Sequence, residues 1–179
     1  MSGAYKLLPH YTYNEWKLWE GKWELIDGIP YAMSPSLLPR HQRVAAELNT
    51  EFTIALRSSG CKTCNVYQPI DYKITDDTIL IPDVLIVCDE IKKPYLDFAP
   101  SLVVEILSPS TALKDRNTKY QLYEQQQIKY YLIIDTDTRE IEIYQSEGGK
   151  YVLQPFNNPF NFELSADYTI SVELGNIFS

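Results

Sequence analysis

The chain has 179 residues, 45% hydrophobic and 22% charged, which suits one domain with a core of its own. Its formal net charge of −8 argues against a general electrostatic grip on nucleic acid, because phosphate contacts need clustered Lys and Arg. No apolar run approaches the roughly 18 residues of a spanning helix, and the first residues hold a lone Lys6 with no secretory apolar segment, so a cytoplasmic protein is the simplest expectation.

Thr12-Tyr13-Asn14-Glu15 has capping-box spacing and predicts a short helix through Trp19. Asp27-Gly28 then separates two apolar runs, and such a pair suits the type I′ turn of a hairpin. After the loop "SPSLLP", the four-residue spacing of Val44, Leu48, Phe52 and Leu56 predicts an amphipathic helix that ends at Ser58-Ser59-Gly60. Strands are expected over 63–74, 79–88 and 101–107, followed by a helix over 112–127 and the buried strand "KYYLIID". The rest reads as short strands joined by Asn, Pro and Gly loops. Helix, three strands, helix and strand give an α/β fold with a mixed central sheet flanked by helices. One domain over 1–179 is expected: an N-terminal helix and hairpin (1–39), a core (40–135) and C-terminal strands (136–179).

Cys61, Cys64 and Cys88 are odd in number, and a reducing compartment would leave them as loop thiols. The CxxC of Cys61 and Cys64 lacks the second pair that a zinc site needs. Charge is unevenly spread. Segments 40–62 and 114–129 are each locally basic, whereas 135–179 holds eight acids against Arg139 and Lys150. A phosphate surface is therefore expected on the first two segments, through residues such as Arg43 and Arg116.

The run "LVVEILSPST" places Glu105 inside an apolar strand, where an ionised carboxylate needs a partner, a proton or a cation. In "ILIPDVLIVC" Asp83 interrupts a second such run, beside a proline that cannot donate to a sheet ladder. Were the two strands neighbours, the carboxylates would converge and repel, unless a proton or divalent cation lay between them. Magnesium suits that place because it binds through one or two carboxylates and leaves room for water and phosphate. The alternative is that Asp83 caps a turn while Glu105 pairs with a buried Lys or Arg.

"IPDVLIV", "LVVEILSPST" and "KDRNTKYQLYEQQQIKYYLIID" together resemble the PD-(D/E)XK nuclease superfamily, nearest its bacterial branch labelled "putative restriction endonuclease domain". The likeness runs from about Trp23 to Tyr144 and implies a restriction-endonuclease-like core and metal-dependent cleavage of DNA. It makes Asp83 and Glu105 metal ligands, with the Ile106 carbonyl as a further one, and magnesium or manganese the cofactor. The superfamily lysine two residues after the glutamate is replaced by Leu107. Asp115, Lys119 and Tyr123, at i, i+4 and i+8, resemble the branch's helix pattern and make Lys119 the catalytic replacement, with Lys114 a weaker candidate. An exposed Asp115–Lys119 pair is the alternative.

His41, Glu24 and Asp71 are accessory candidates, although a first-turn histidine and hairpin acids fit surface roles as well. Ser108, Ser110 and Thr111 are expected to cap the following helix. Cutting two strands would suit a homodimer. The competing readings are an interaction domain for nucleic acid or protein that keeps the fold without catalysis, and a structural metal-binding or oligomer-forming protein.

Overall fold

The computed structural model describes residues 8–33 and 38–179. The expected loop at 34–37 lies outside them. The N-terminal helix α1 (Tyr13–Trp16) starts as its sequence demands, with the Thr12 N–H donating to Glu15 Oε2 over 2.8 Å. It ends three residues before Trp19. Strands β1 (Trp23–Ile26) and β2 (Ile29–Ala32) form the expected hairpin, whose Asp27 and Gly28 both take positive φ, 49° and 75°. Glycine is required there, because a Cβ would lie 2.2 Å from the His10 ring.

Helix α2 (Pro39–Ser59) buries His41, Val44, Leu48, Phe52, Ala55 and Leu56 along one face, and Gly60 closes it in the left-handed conformation. The next two expected strands each break in two. β3 (Asn65–Tyr67) separates from β4 (Tyr72–Lys73) around Pro69, and β5 (Ile79–Leu80) from β6 (Val84–Val87) at Pro82. At each break the chain passes from one sheet to another, as residues without a ladder N–H permit. Strand β7 (Leu102–Ile106) follows.

The helix expected over 112–127 is present with a change of pitch: α3 (Ala112–Lys114) runs into a π-helical turn, Asp115–Lys119, and then into α4 (Tyr120–Gln125). It connects β7 to the parallel strand β8 (Tyr130–Asp135) as a crossover. Strands β9 (Glu140–Glu147) and β10 (Lys150–Gln154) extend the same sheet as a hairpin. A ribbon of β11 (Phe160–Glu163) and β12 (Thr169–Val172) and a 3₁₀ turn, Leu174–Phe178, complete the order.

The main sheet has six strands in the order β10-β9-β8-β7-β6-β3, mixed because β7 and β8 are parallel while the other pairs are antiparallel; a second sheet runs β2-β1-β5-β4. Strand alternation divides β7 between two cores. Leu102, Val104 and Ile106 pack with α2 and the β11–β12 ribbon, while Val103 and Leu107 pack with Tyr123, Ile128 and Tyr131. Tyr120, Tyr131, Tyr144 and Tyr151 meet in mutual ring contacts on that second side, which places them among the core tyrosines.

One expectation is overturned by register. Asn65 lies opposite Val87 in the β3–β6 pair, so Cys64 and Cys88 occupy the next opposed position and form a disulfide across 24 residues of sequence. Cys61 alone is a free thiol. Among the described residues no helix is long and apolar enough to cross a membrane.

Candidate active site

Antiparallel pairing of β6 with β7 sets Val84 opposite Val104, and the next position in that register brings Asp83 to Glu105. Because Pro82 has ended β5, Asp83 lies in the gap between sheets and turns its carboxylate inward. Asp83 Oδ2 accepts the Ile106 N–H over 2.8 Å, and His41 Nε2 on α2 stands 3.3 Å from the same oxygen. The accessory candidate His41 is thus buried against an acid and not at the surface, the alternative for it, and its Nδ1 is a buried atom with no hydrogen-bond partner among the described residues.

Glu105 Oε1 receives Lys119 Nζ at 2.8 Å and the Tyr123 hydroxyl at 2.6 Å. The same ammonium lies 2.7 Å from Glu24 Oε1 and 3.5 Å from Asp115 Oδ1. Glu24, fully buried on β1, also accepts the Ile81 N–H at 3.0 Å and an ion pair from Lys114. An exposed Asp115–Lys119 pair is excluded, since these residues are 1% and 2% exposed.

The wide turn explains why spacing of four works so well. An α-helix of 3.6 residues per turn would let residues four apart drift by about 40° at each step, whereas a π-turn is underwound and reduces that drift. Asp115, Lys119 and Tyr123 therefore all face the sheet. The Tyr131 hydroxyl, rising from β8, donates to the Asp115 carbonyl at 2.9 Å and ties the turn to the strand beneath it.

A cavity of about 670 Å³ opens over this group, lined by Glu24, His41, Asp83, Glu105, Asp115 and Lys119 among others. Four carboxyl groups, Glu24, Asp83, Glu105 and Asp115, line the cavity together with Lys119, and Lys114 pairs with Glu24. Burial, helped by Asp115, Asp83 and Glu24, pushes the Glu105 carboxyl well above its usual range despite Lys119. Burial also raises Asp115. Glu24 behaves oppositely: burial works against its charge, but Lys119 and Lys114 outweigh it and hold the carboxyl low. Burial likewise opposes the Lys119 charge, yet Glu105, Glu24 and Asp115 raise the ammonium well above its ordinary value. Burial and Glu105 hold the Tyr123 hydroxyl firmly protonated.

Asp83 and Glu105 offer the oxygen donors that a small divalent cation would need. The hydrogen bonds engage Glu105 Oε1 and Asp83 Oδ2, and among the described residues none engages the second oxygen of either carboxylate. No cluster of three His, Cys, Asp or Glu suited to a metal forms among those residues, so a cation here would draw one or two carboxylates from the chain, as magnesium does.

Other expectations fare less well. Asp71 is not part of the group; it lines a separate pocket, and burial raises its carboxyl. Thr111 is the residue before α3 but makes no side-chain capping bond; its hydroxyl lies 3.0 Å from that of Ser108, and both residues line the acid cavity. Leu107 lines an adjacent pocket instead of the acid cavity. Segment 114–129 is not an open basic surface, because Lys114 and Lys119 turn inward and Arg116 and Lys129 pair with Glu142 and Glu163. On α2, Arg40 pairs with Asp137 and Arg43 donates to the Ser179 carbonyl. Sequence reading also undervalued Glu24. Its signal was present, since it interrupts the apolar "WELI" just as Glu105 interrupts its own strand.

A family model described as "Uma2: Putative restriction endonuclease" matches residues 11–174. A protein of Synechocystis sp. named "Uncharacterized protein slr1290" is 29% identical over 166 residues, covering 88% of this chain and 86% of its own. A crystal structure titled as a putative nuclease belonging to DUF820, from Anabaena variabilis, superposes with a TM-score of 0.73 at 14% identity, over 93% of this chain and 97% of that one. The architecture is thus a restriction-endonuclease-like fold.

Proposed function

The chain belongs to the Uma2 family, and on that premise we propose that it is a metal-dependent endonuclease that hydrolyses DNA phosphodiester bonds. The observation that carries this reading is the convergence of Asp83, Glu105 and Lys119 in one cavity, beside Glu24 and Asp115. Asp83 and Glu105 would hold magnesium or manganese, with the Ile106 carbonyl as a further donor on the same strand. Such a cation supplies polarisation of the phosphate and a bound water acidic enough to attack it at neutral pH.

The chain's own residues supply position and charge. His41 steadies Asp83, and Tyr123 and Lys119 fix Glu105 by donating to one of its oxygens. Since three carboxylates keep Lys119 protonated, its part is that of a fixed positive charge. It stabilises negative charge developing on the phosphate and does not remove a proton from water. This assigns the missing strand lysine's electrostatic work to the π-turn.

The test is cleavage of varied DNA substrates with magnesium or manganese, beside Asp83→Ala. Metal-dependent cleavage by the parent that disappears in the variant supports the reading. Binding without cleavage by a folded parent would favour a domain that keeps the fold for recognition alone.

A further inference from the structure

All three tryptophans of the chain, Trp16, Trp19 and Trp23, line one pocket of about 310 Å³. It adjoins the acid cavity, and Gly21, Lys22, Trp23, Pro69 and Ile81 line both. The rings are held by the backbone. Trp16 Nε1–H donates to the Trp23 carbonyl at 2.7 Å, and Trp23 Nε1–H to the Glu20 carbonyl at 2.8 Å. Trp19 meets Tyr11 and Trp23 edge-on, with centroids 5.0 and 5.9 Å apart.

Phe52, Phe162 and Tyr131 lie in the two cores; none of the tryptophans belongs to either, and all three remain partly exposed. Large amphipathic rings at a surface, fixed before any ligand arrives, form a stacking site. Lys17 and Lys22 are exposed and line the pocket, suited to a phosphate backbone, and the half-buried Asp71 offers a hydrogen-bond acceptor to a base amine.

We propose that this pocket takes one unpaired nucleobase of the strand whose phosphate lies over Asp83 and Glu105, so that the preferred substrate is single-stranded or locally unpaired DNA. The inference rests on the nuclease reading and narrows it. A base inside a duplex would have to leave its stack to enter, whereas a single strand offers its bases directly. The aromatic wall discriminates by exposed ring faces and not by sequence.

Intrinsic tryptophan emission reports on this pocket alone, because no tryptophan lies elsewhere. Metal-free protein titrated with an oligothymidylate should show a saturable change in emission, at an affinity at least about tenfold above that for the same strand paired with oligoadenylate. Trp19→Ala leaves the two indole-to-backbone bonds in place and should weaken single-strand binding about tenfold, while Trp19→Phe should retain most of it. Far-UV circular dichroism checks that each variant folds; should Trp19→Ala fail to, the parent's strand preference and Trp19→Phe still decide. Equal affinity for the two DNA forms, unchanged emission, or a folded Trp19→Ala that binds as tightly as the parent would overturn the pocket's role. Asp83→Ala separates this from the nuclease reading. If Asp83→Ala abolishes cleavage while folded Trp19→Ala cuts single strands and duplexes at parental rates, the stacking site is wrong and hydrolysis stands; if emission and strand preference appear but the parent does not cleave, the reverse holds.

Discussion

On one face of β7, Leu102, Val104 and Ile106 meet α2 and the β11–β12 ribbon through apolar contacts; on the other, Val103 and Leu107 flank a carboxylate bound to an ammonium and a phenol. Both faces are buried to the same degree. They differ in what burial does. Apolar side chains gain from leaving water, whereas Glu105 loses hydration that Lys119 and Tyr123 return only in part, so its carboxyl stays raised. One strand thus anchors the sheet through its even residues and holds a buried carboxyl group through an odd one.

The sharpest way to break that contrast is Lys119→Ala, which would leave Glu24, Glu105 and Asp115 buried without the cation they share. We expect a loss of about 3–5 kcal/mol by denaturant titration, and cleavage lost even among folded molecules. Metal affinity by calorimetry should not fall, because the site becomes more negative. On the apolar face, Leu48→Ala should cost about 3 kcal/mol but leave cleavage per folded molecule unchanged. If that variant lost activity at full folding, the separation between the faces would not hold.

Within the charged face, Glu24 and Glu105 should respond with opposite signs when the protein is metal-free. Glu24 has a lowered pKa, so its stabilisation is present above the unfolded value near 4.5 and disappears as pH falls through the folded one. Glu24→Gln should therefore cost about 2 kcal/mol at neutral pH, less in acid. Glu105 is raised, so its destabilisation grows as pH climbs from the unfolded toward the folded value. Glu105→Gln should be neutral or stabilising at pH 7 in thermal melts, with no such gain at pH 4. A destabilised Glu105→Gln would mean that the contact to Lys119 outweighs burial. The smallest effect belongs to the exposed Arg40–Asp137 pair, where Arg40→Ala should change stability by less than about 1 kcal/mol.

Local chemistry was legible in the sequence and most long-range pairing was not. Asp27-Gly28 declared its turn, Pro82 an irregularity in its strand and Glu105 its anomaly, because each depends on near neighbours; that the strand breaks in two at Pro82 was not legible. Glu24 and Lys119 are separated by 95 residues, and His41 and Asp83 by 42, so only the packed sheets reveal them as partners. The Cys64–Cys88 bridge escaped notice for the same reason, since it follows from the β3–β6 register. Asp71 carried the same sign as Glu24, an acid near apolar residues, yet the break at Pro69 leaves it outside the acid group. The π-turn has no composition of its own that would announce it.

That turn makes the crossover helix sensitive to residue count in a way a surface loop is not. The turn is already underwound and has no slack to absorb a further residue, so one inserted after Asn117 would turn everything beyond it by about 100° about the axis. Lys119 and Tyr123 would swing away from Glu105 together, although neither had been substituted. In related chains, length variation should accordingly gather between strands and spare the stretch from Asp115 to Tyr123, where the number of residues carries as much information as their identity.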